Sequence, residues 1–319
     1  MAREAELFAK DQPWVEGPVV APGGWILNVC SFSIPERGWT ARGGDISATH
    51  ISRPLVTHAV FNTSAPEVEG IPAALAFGPD GCLYVTDEGR RSIVRVTPEG
   101  TLSDFITTFE GRNINGANDL SFDRDGNLFF TDPWGSSPDN PIGQVFGYEW
   151  ATGELHLISD GMQFPNGIVV RDGRLYVAET YTNMLWVYDV AGPAMAANKT
   201  EFRRMPDVPD SPVQWQGKSL AGPDGMAFDD AGNLYVAHVG SGNVYVYDLD
   251  GREIDALPTG GRKATNVCFG GPDYDVLYVT VDDPGTIIRY DLGVRGHRLS
   301  FCPSLVTDHP WAKMLPPAP

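Results

Sequence analysis

The sequence predicts an all-β protein: a six-bladed β-propeller, with four-stranded antiparallel blades around a central channel, forming one domain over residues 1–319. Three observations point there. A pattern of x-G/A, three apolar residues, a Gly-containing turn and an LYV-like run recurs six times. Its copies start at Glu16, Ala73, Asn118, Asn166, Asp224 and Thr265, at spacings of 57, 45, 48, 58 and 41 residues. No helical periodicity accompanies them, and a β-sandwich with a separate domain predicts no sixfold register.

Taken in order, the segment Glu4 to Lys10 is expected to close the ring as the outer strand of the last blade. The first copy, EGPVVAPGGWIL, is followed by the span 33 to 46, which enlarges its blade. The second and third copies, AALAFGPDGCLYV and NDLSFDRDGNLFF, continue into third strands at Ser92 to Val96 and Gln144 to Tyr148 and fourth strands at Leu102 to Ile106 and Leu155 to Ser159. The fourth copy holds the whole unit in one stretch, QFPNGIVVRDGRLYVAETYTNMLWVYD: strand, Arg171-Asp172-Gly173 turn, strand, loop, strand. The span 193 to 223 enlarges the connection into the fifth copy, DGMAFDDAGNLYV, whose third strand is Asn243 to Tyr247. Both long spans read either as tolerated surface insertions or as the source of a pocket wall through Trp39 or Trp215.

Composition narrows the function. The 319 residues are 42% hydrophobic and carry 23 basic against 41 acidic side chains, a net charge of −18, which disfavours nucleic acid or an anionic membrane as a partner. The start, MAREAELFAKDQPW, lacks the apolar core of a secretory signal and no run is apolar enough to span a membrane, so a cytoplasmic location is expected. Cys30, Cys82, Cys268 and Cys302 are scattered, without a CxxC pair, and read as reduced thiols, with a Cys30/Cys302 bridge between the chain ends as the alternative.

The register itself carries chemistry. The first strand of a propeller blade is innermost, so the six copy-starting residues form a ring at one rim of the channel, and four of them, Glu16, Asn118, Asn166 and Asp224, aim oxygen at one point. Singly, each is an ordinary strand-start residue whose side chain bonds nearby backbone. Together, two carboxylates across a narrow channel repel unless a cation or proton lies between them, and two amides complete an oxygen set suited to a hard divalent ion. Such a set accepts calcium, magnesium, manganese, zinc or iron(II). The residues just past each LYV run, Asp87, Asp132, Glu179 and His238, are expected at the same mouth, with His238 and Glu179 as proton-shuttle candidates. Asp119 breaks the x-G pattern and is expected to hydrogen-bond away from the channel. No G-x-S-x-G or Walker lysine is present.

These residues resemble a known family. Glu16-Gly-Pro, Gly116-Ala-Asn118-Asp119, Phe164-Pro-Asn166-Gly, Pro223-Asp224-Gly-Met and Asn266-Val-Cys-Phe-Gly-Gly are similar to the motifs of the SMP-30/gluconolactonase/luciferin-regenerating group, over roughly residues 16 to 292. The resemblance implies a calcium-type ion on Glu16, Asn118, Asn166 and Asp224 and lactone hydrolysis as the activity. QFPNGI and VAET are also similar to the diisopropylfluorophosphatase branch, which implies phosphotriester or P–F hydrolysis as the alternative; a non-catalytic ligand-binding propeller is the third reading. Two departures stand out: Ala227 and Cys268 replace an acid and a histidine that hold a second calcium in that branch, and Gly116 replaces a substrate-contacting arginine of the animal gluconolactonases. On the leading reading Asp224 activates water or attacks a small lactone, with His238 or Glu179 as rival base, and no oligomeric state is implied.

Overall fold

In a computed structural model that describes residues 4–34, 41–215, 217–303 and 309–319, six four-stranded antiparallel sheets form the blades of a propeller, and no α-helix occurs among the described residues. The inner strands are Val15–Ala21, Pro72–Phe77, Leu120–Phe122, Pro165–Arg171, Gly222–Phe228 and Ala264–Gly270. Each touches the inner strand of the next blade, and the last touches the first, so the ring is closed. Closure is by the expected device. Glu6–Ala9 pairs antiparallel with Thr286–Asp291 as the outer strand of blade six, and the Glu6 carboxylate accepts two bonds from Arg289, at 2.6 and 2.9 Å.

The recurring Gly-containing turns have a local cause. Asp123 accepts from the backbone N–H groups of Asp125 and Asn127 through one oxygen, at 2.9 and 2.8 Å, and from the Asn127 amide through the other. Asp229 and Asn233 repeat the arrangement at 2.8 and 2.7 Å. Short polar side chains thus replace the backbone partners that a tight reversal removes, and the LYV-like strand restarts in register.

Between blades the apolar faces interlock. Val19, Leu27 and Val29 of blade one meet Leu75, Val85 and Val94 of blade two, and Trp311, near the C-terminus, is fully buried in the same cluster beside Phe77. All four cysteines are free thiols.

The second long span resolves differently from the expectation. Much of 193 to 223 is the ten-residue outer strand of blade four, Met195–Arg204, and the remainder includes a small hairpin, Gln214–Trp215 with Lys218–Ser219. Reading the whole span as a connection hid a strand whose exposed face is polar. In the first span, residues 35 to 40 and with them Trp39 lie outside the described residues.

Candidate metal and active site

All six copy-starting residues, Glu16, Ala73, Asn118, Asn166, Asp224 and Thr265, line one cavity at a single mouth of the channel. Local backbone makes this possible. In five blades the pairing between first and second strand slips at the register residue: between Glu16 and Val19, Pro72 and Ala74, Pro165 and Ile168, Pro223 and Met226, and Ala264 and Asn266. A bulge turns the side chain at that point out of the sheet's alternation and toward the axis.

Glycine follows three of these residues because the inner strands are closest there. A Cβ on Gly167 would lie 2.1 Å from the Asp224 carbonyl oxygen, and one on Gly225 would lie 2.0 Å from the Asn266 side chain. Threonine hydroxyls then tie four of the six blade junctions. Thr86 donates to the carbonyl of Asn118 (2.5 Å), Thr131 to that of Asn166 (2.7 Å), Thr180 to that of Pro223 (2.8 Å) and Thr265 to that of Val15 (2.9 Å). The donors are therefore held by buried bonds between blades rather than by loops.

The amides are oriented by their own NH2 groups. Asn118 Nδ2 donates to Glu88 Oε1 at 2.9 Å and Asn166 Nδ2 to Thr180 Oγ1 at 3.1 Å, which leaves each side-chain carbonyl oxygen without a partner among the described residues. Glu16 Oε2 accepts from the Gly17 N–H at 2.8 Å. Burial pushes the Glu16 carboxyl up to about 8, helped by the charge of Asp119, and pushes Glu88 up to about 8 as well. Asp224 is driven well above the usual carboxylate range, first by burial and then by Glu16 and Asp119. Among the described residues lining the cavity, the single basic side chain is Lys263, and its Nζ is bound to Asp282 at 2.6 Å. Two buried acids and two amide oxygens on one ring, with no free protein cation among them, have the donor chemistry of a hard divalent ion.

The second ring needs correction. Glu179 and His238 stand at the ends of their strands as expected, but neither lines the cavity. Glu179 accepts from Gln163 N (2.6 Å), Thr182 Oγ1 (2.9 Å) and Trp186 Nε1 (2.7 Å), while His238 Nε2 bonds Asn183 Oδ1 at 3.1 Å. Asp87 and Asp132 likewise bind the loop entering their own blade, through Ile71 N and through Asn115 and Gly116 N. A strand alternates its side chains, so the residue facing the mouth is one position later: Glu88, Val239 and Asp282 line the cavity. Glu88 is thus the acid that sequence reading missed, and counting one further along VTDE would have found it. Asp119 bonds across to the next blade as expected, accepting from Ile168 N at 3.1 Å.

His238 instead predicts an acid limb of stability. Burial pushes its pKa down to about 4, so below the ordinary value of about 6.5 the unfolded chain takes up a proton that the folded protein refuses. Stability from this group is complete above pH 6.5 and falls by about 3 kcal/mol as pH drops to 4. Urea titrations of the wild type and His238→Gln check this: the difference between their acid slopes should vanish above pH 6.5, and superimposable acid limbs would refute it.

Outside the channel, Glu149, Glu154 and His156 bring ligand atoms within 4.8 Å of one another at the outer edge of blade three. They are half-buried to exposed and share no strand with the ring described above.

Known proteins repeat this architecture. The sequence profile of the SMP-30/Gluconolactonase/LRE-like region matches residues 39–282. The chain belongs to this family. It is 31% identical over 321 residues to diisopropyl-fluorophosphatase of Loligo vulgaris, covering 94% of this chain and 96% of the relative. It is also 29% identical to gluconolactonase of Zymomonas mobilis, over 83% of this chain and 75% of that one. Among solved structures, a calcium-binding regucalcin from Agrobacterium tumefaciens shares the fold at a TM-score of 0.73 and 18% identity, over 95% of this chain and 98% of that one.

Proposed function

We propose that this family member is a divalent-metal-dependent hydrolase of small cyclic esters, with Glu16, Asn118, Asn166 and Asp224 as metal ligands. The observation that carries the reading is the convergence of these four oxygen donors on one buried mouth, each in the same register of a different blade. Likeness to gluconolactonase and to a pentonolactonase of Haloferax volcanii supports lactones as the substrate class. A cation held there supplies Lewis acidity to an ester carbonyl and charge stabilisation to the oxyanion formed as water adds.

The protein's own groups supply the rest. With His238 and Glu179 turned away, the proton acceptors facing the cavity are carboxylates: Asp224, Glu16, Glu88 and Asp282, the last already bound to Lys263. Asp224 is the proposed base or nucleophile, a buried carboxyl whose charge burial, Glu16 and Asp119 all disfavour. Glu88 orients Asn118 through the Nδ2 bond and is the rival base. Trp14, Phe32 and Trp215 wall the mouth beside these acids. Likeness to diisopropyl-fluorophosphatase favours a second reading, attack at phosphorus on the same site.

The test is turnover of gluconolactone, aliphatic lactones and paraoxon by chelated protein with each divalent ion restored in turn. Lactone hydrolysis that disappears on chelation and returns with an oxygen-preferring ion is expected. Equal turnover with and without metal would overturn the proposal, and paraoxon turnover alone would select the second reading.

A further inference from the structure

Above its acidic floor the cavity is aromatic. Trp215, on the small hairpin before blade five, is the hub: its ring centroid lies 5.4 Å from Trp14, 5.9 Å from Phe32, 6.0 Å from Trp134 and 6.5 Å from Phe164. These rings come from blades one, three and four and from the hairpin before blade five, so the wall exists only in the folded ring. Three of the polar groups among them are already engaged. Ser31 Oγ donates to the Pro72 carbonyl at 2.7 Å, Thr265 Oγ1 to Val15, and Lys263 Nζ holds Asp282 while lying 3.4 Å above the Trp14 ring. The donor at the hub, Trp215 Nε1, is shielded from solvent and is the exception, with no hydrogen-bond partner among the described residues. The enclosed cavity is small, about 80 Å³, and opens to solvent at the aromatic mouth, so an ester ring enters it and a side chain lies along the wall.

Building on the proposed lactone hydrolysis, we infer that the substrate is a cyclic ester with an apolar substituent, laid against Trp14, Phe32, Phe164 and Trp215, and that polyhydroxylated sugar lactones are poor substrates. A row of hydroxyls entering this wall gives up water and finds few free partners, and each unpaired polar group weakens binding. A methylene entering it loses only its contact with water. That gain is worth about 0.8 kcal/mol, or about fourfold in kcat/KM per CH2.

The experiment is a series of γ-lactones with hydrogen, ethyl, butyl and hexyl at the γ carbon, measured beside glucono-δ-lactone on metal-loaded enzyme. We expect kcat/KM to climb about fourfold per methylene until the wall is covered, with γ-octalactone ahead of gluconolactone by more than about tenfold. Trp215→Ala should flatten the chain-length slope, and Trp215→Phe, which keeps a ring, should restore most of it even if the alanine protein folds poorly. A flat wild-type slope, or gluconolactone as the better substrate, overturns the inference. If no lactone is turned over, the hydrolase reading fails by itself. The wall is then read by quenching of tryptophan fluorescence with 2-alkylcyclopentanones of the same chain lengths: tightening with length supports it, and constant affinity overturns it.

Discussion

Asp224→Asn removes at least about 100-fold of turnover and, in the same protein, raises the melting temperature of the chelated form. The two effects come from one charge. Asp224 is buried and feels Glu16, Asp119 and Glu88, so ionising it at the axis of the metal-free protein is unfavourable. Asparagine has nearly the same shape and no charge, so the blade packs as before and the repulsion is gone. A relief of even about 1 kcal/mol raises the melting temperature of a chain this long by about 2 °C. With metal present the order reverses, because a neutral donor replaces one of two anionic ones and the ion binds more weakly. Retained metal together with full turnover would exclude Asp224 as base or nucleophile. A chelated variant no more stable than chelated wild type would show that the four carboxylates do not share a field.

How much of this was legible in the sequence depends on the kind of information. The blade count and the six inner-strand positions were written in the repeat, because a propeller forces every copy to make the same turn at the same depth. The bulge at five of the six register residues was not, since slipping one residue leaves no mark in a pattern of G/A and apolar letters. Its consequence for Glu16, Asn166 and Asp224 was nonetheless captured, as the repeat aligns bulged positions with one another. The second strand shows the opposite case. Reading Asp87, Glu179 and His238 as mouth-facing put the ring one residue early, and a period of two turns that small error into the wrong face. The aromatic wall was only partly readable. Trp215 was singled out, but Trp14, Phe32 and Phe164 sit on loops of other blades, and nothing along the chain says that they meet.

The largest effect of solution conditions should be a stability that falls with pH in the chelated protein and not in the ion-loaded one. Glu16 and Glu88 are pushed from about 4.5 to about 8, and Asp119 to about 7, in each case chiefly by burial. Folded carboxyls with raised values bind protons more tightly than the same groups in the unfolded chain. Their contribution is whole below about pH 4 and is lost as pH rises through 8, each group costing at most about 1.4 kcal/mol per pH unit. Because the groups share one cavity they titrate as a set, and the total is less than the sum. A bound cation takes the place of those protons. It needs its ligands ionised, so its stabilisation grows with pH, and at about 100 times its dissociation constant it adds about 2.7 kcal/mol. The comparison belongs between pH 6.5 and 8.5, above the range in which His238 acts, with denaturant midpoints measured in chelator and in excess calcium. Curves that diverge with pH are expected, and Glu16→Gln should shrink the divergence. Parallel curves would mean that the acids at the axis neither repel one another nor hold an ion.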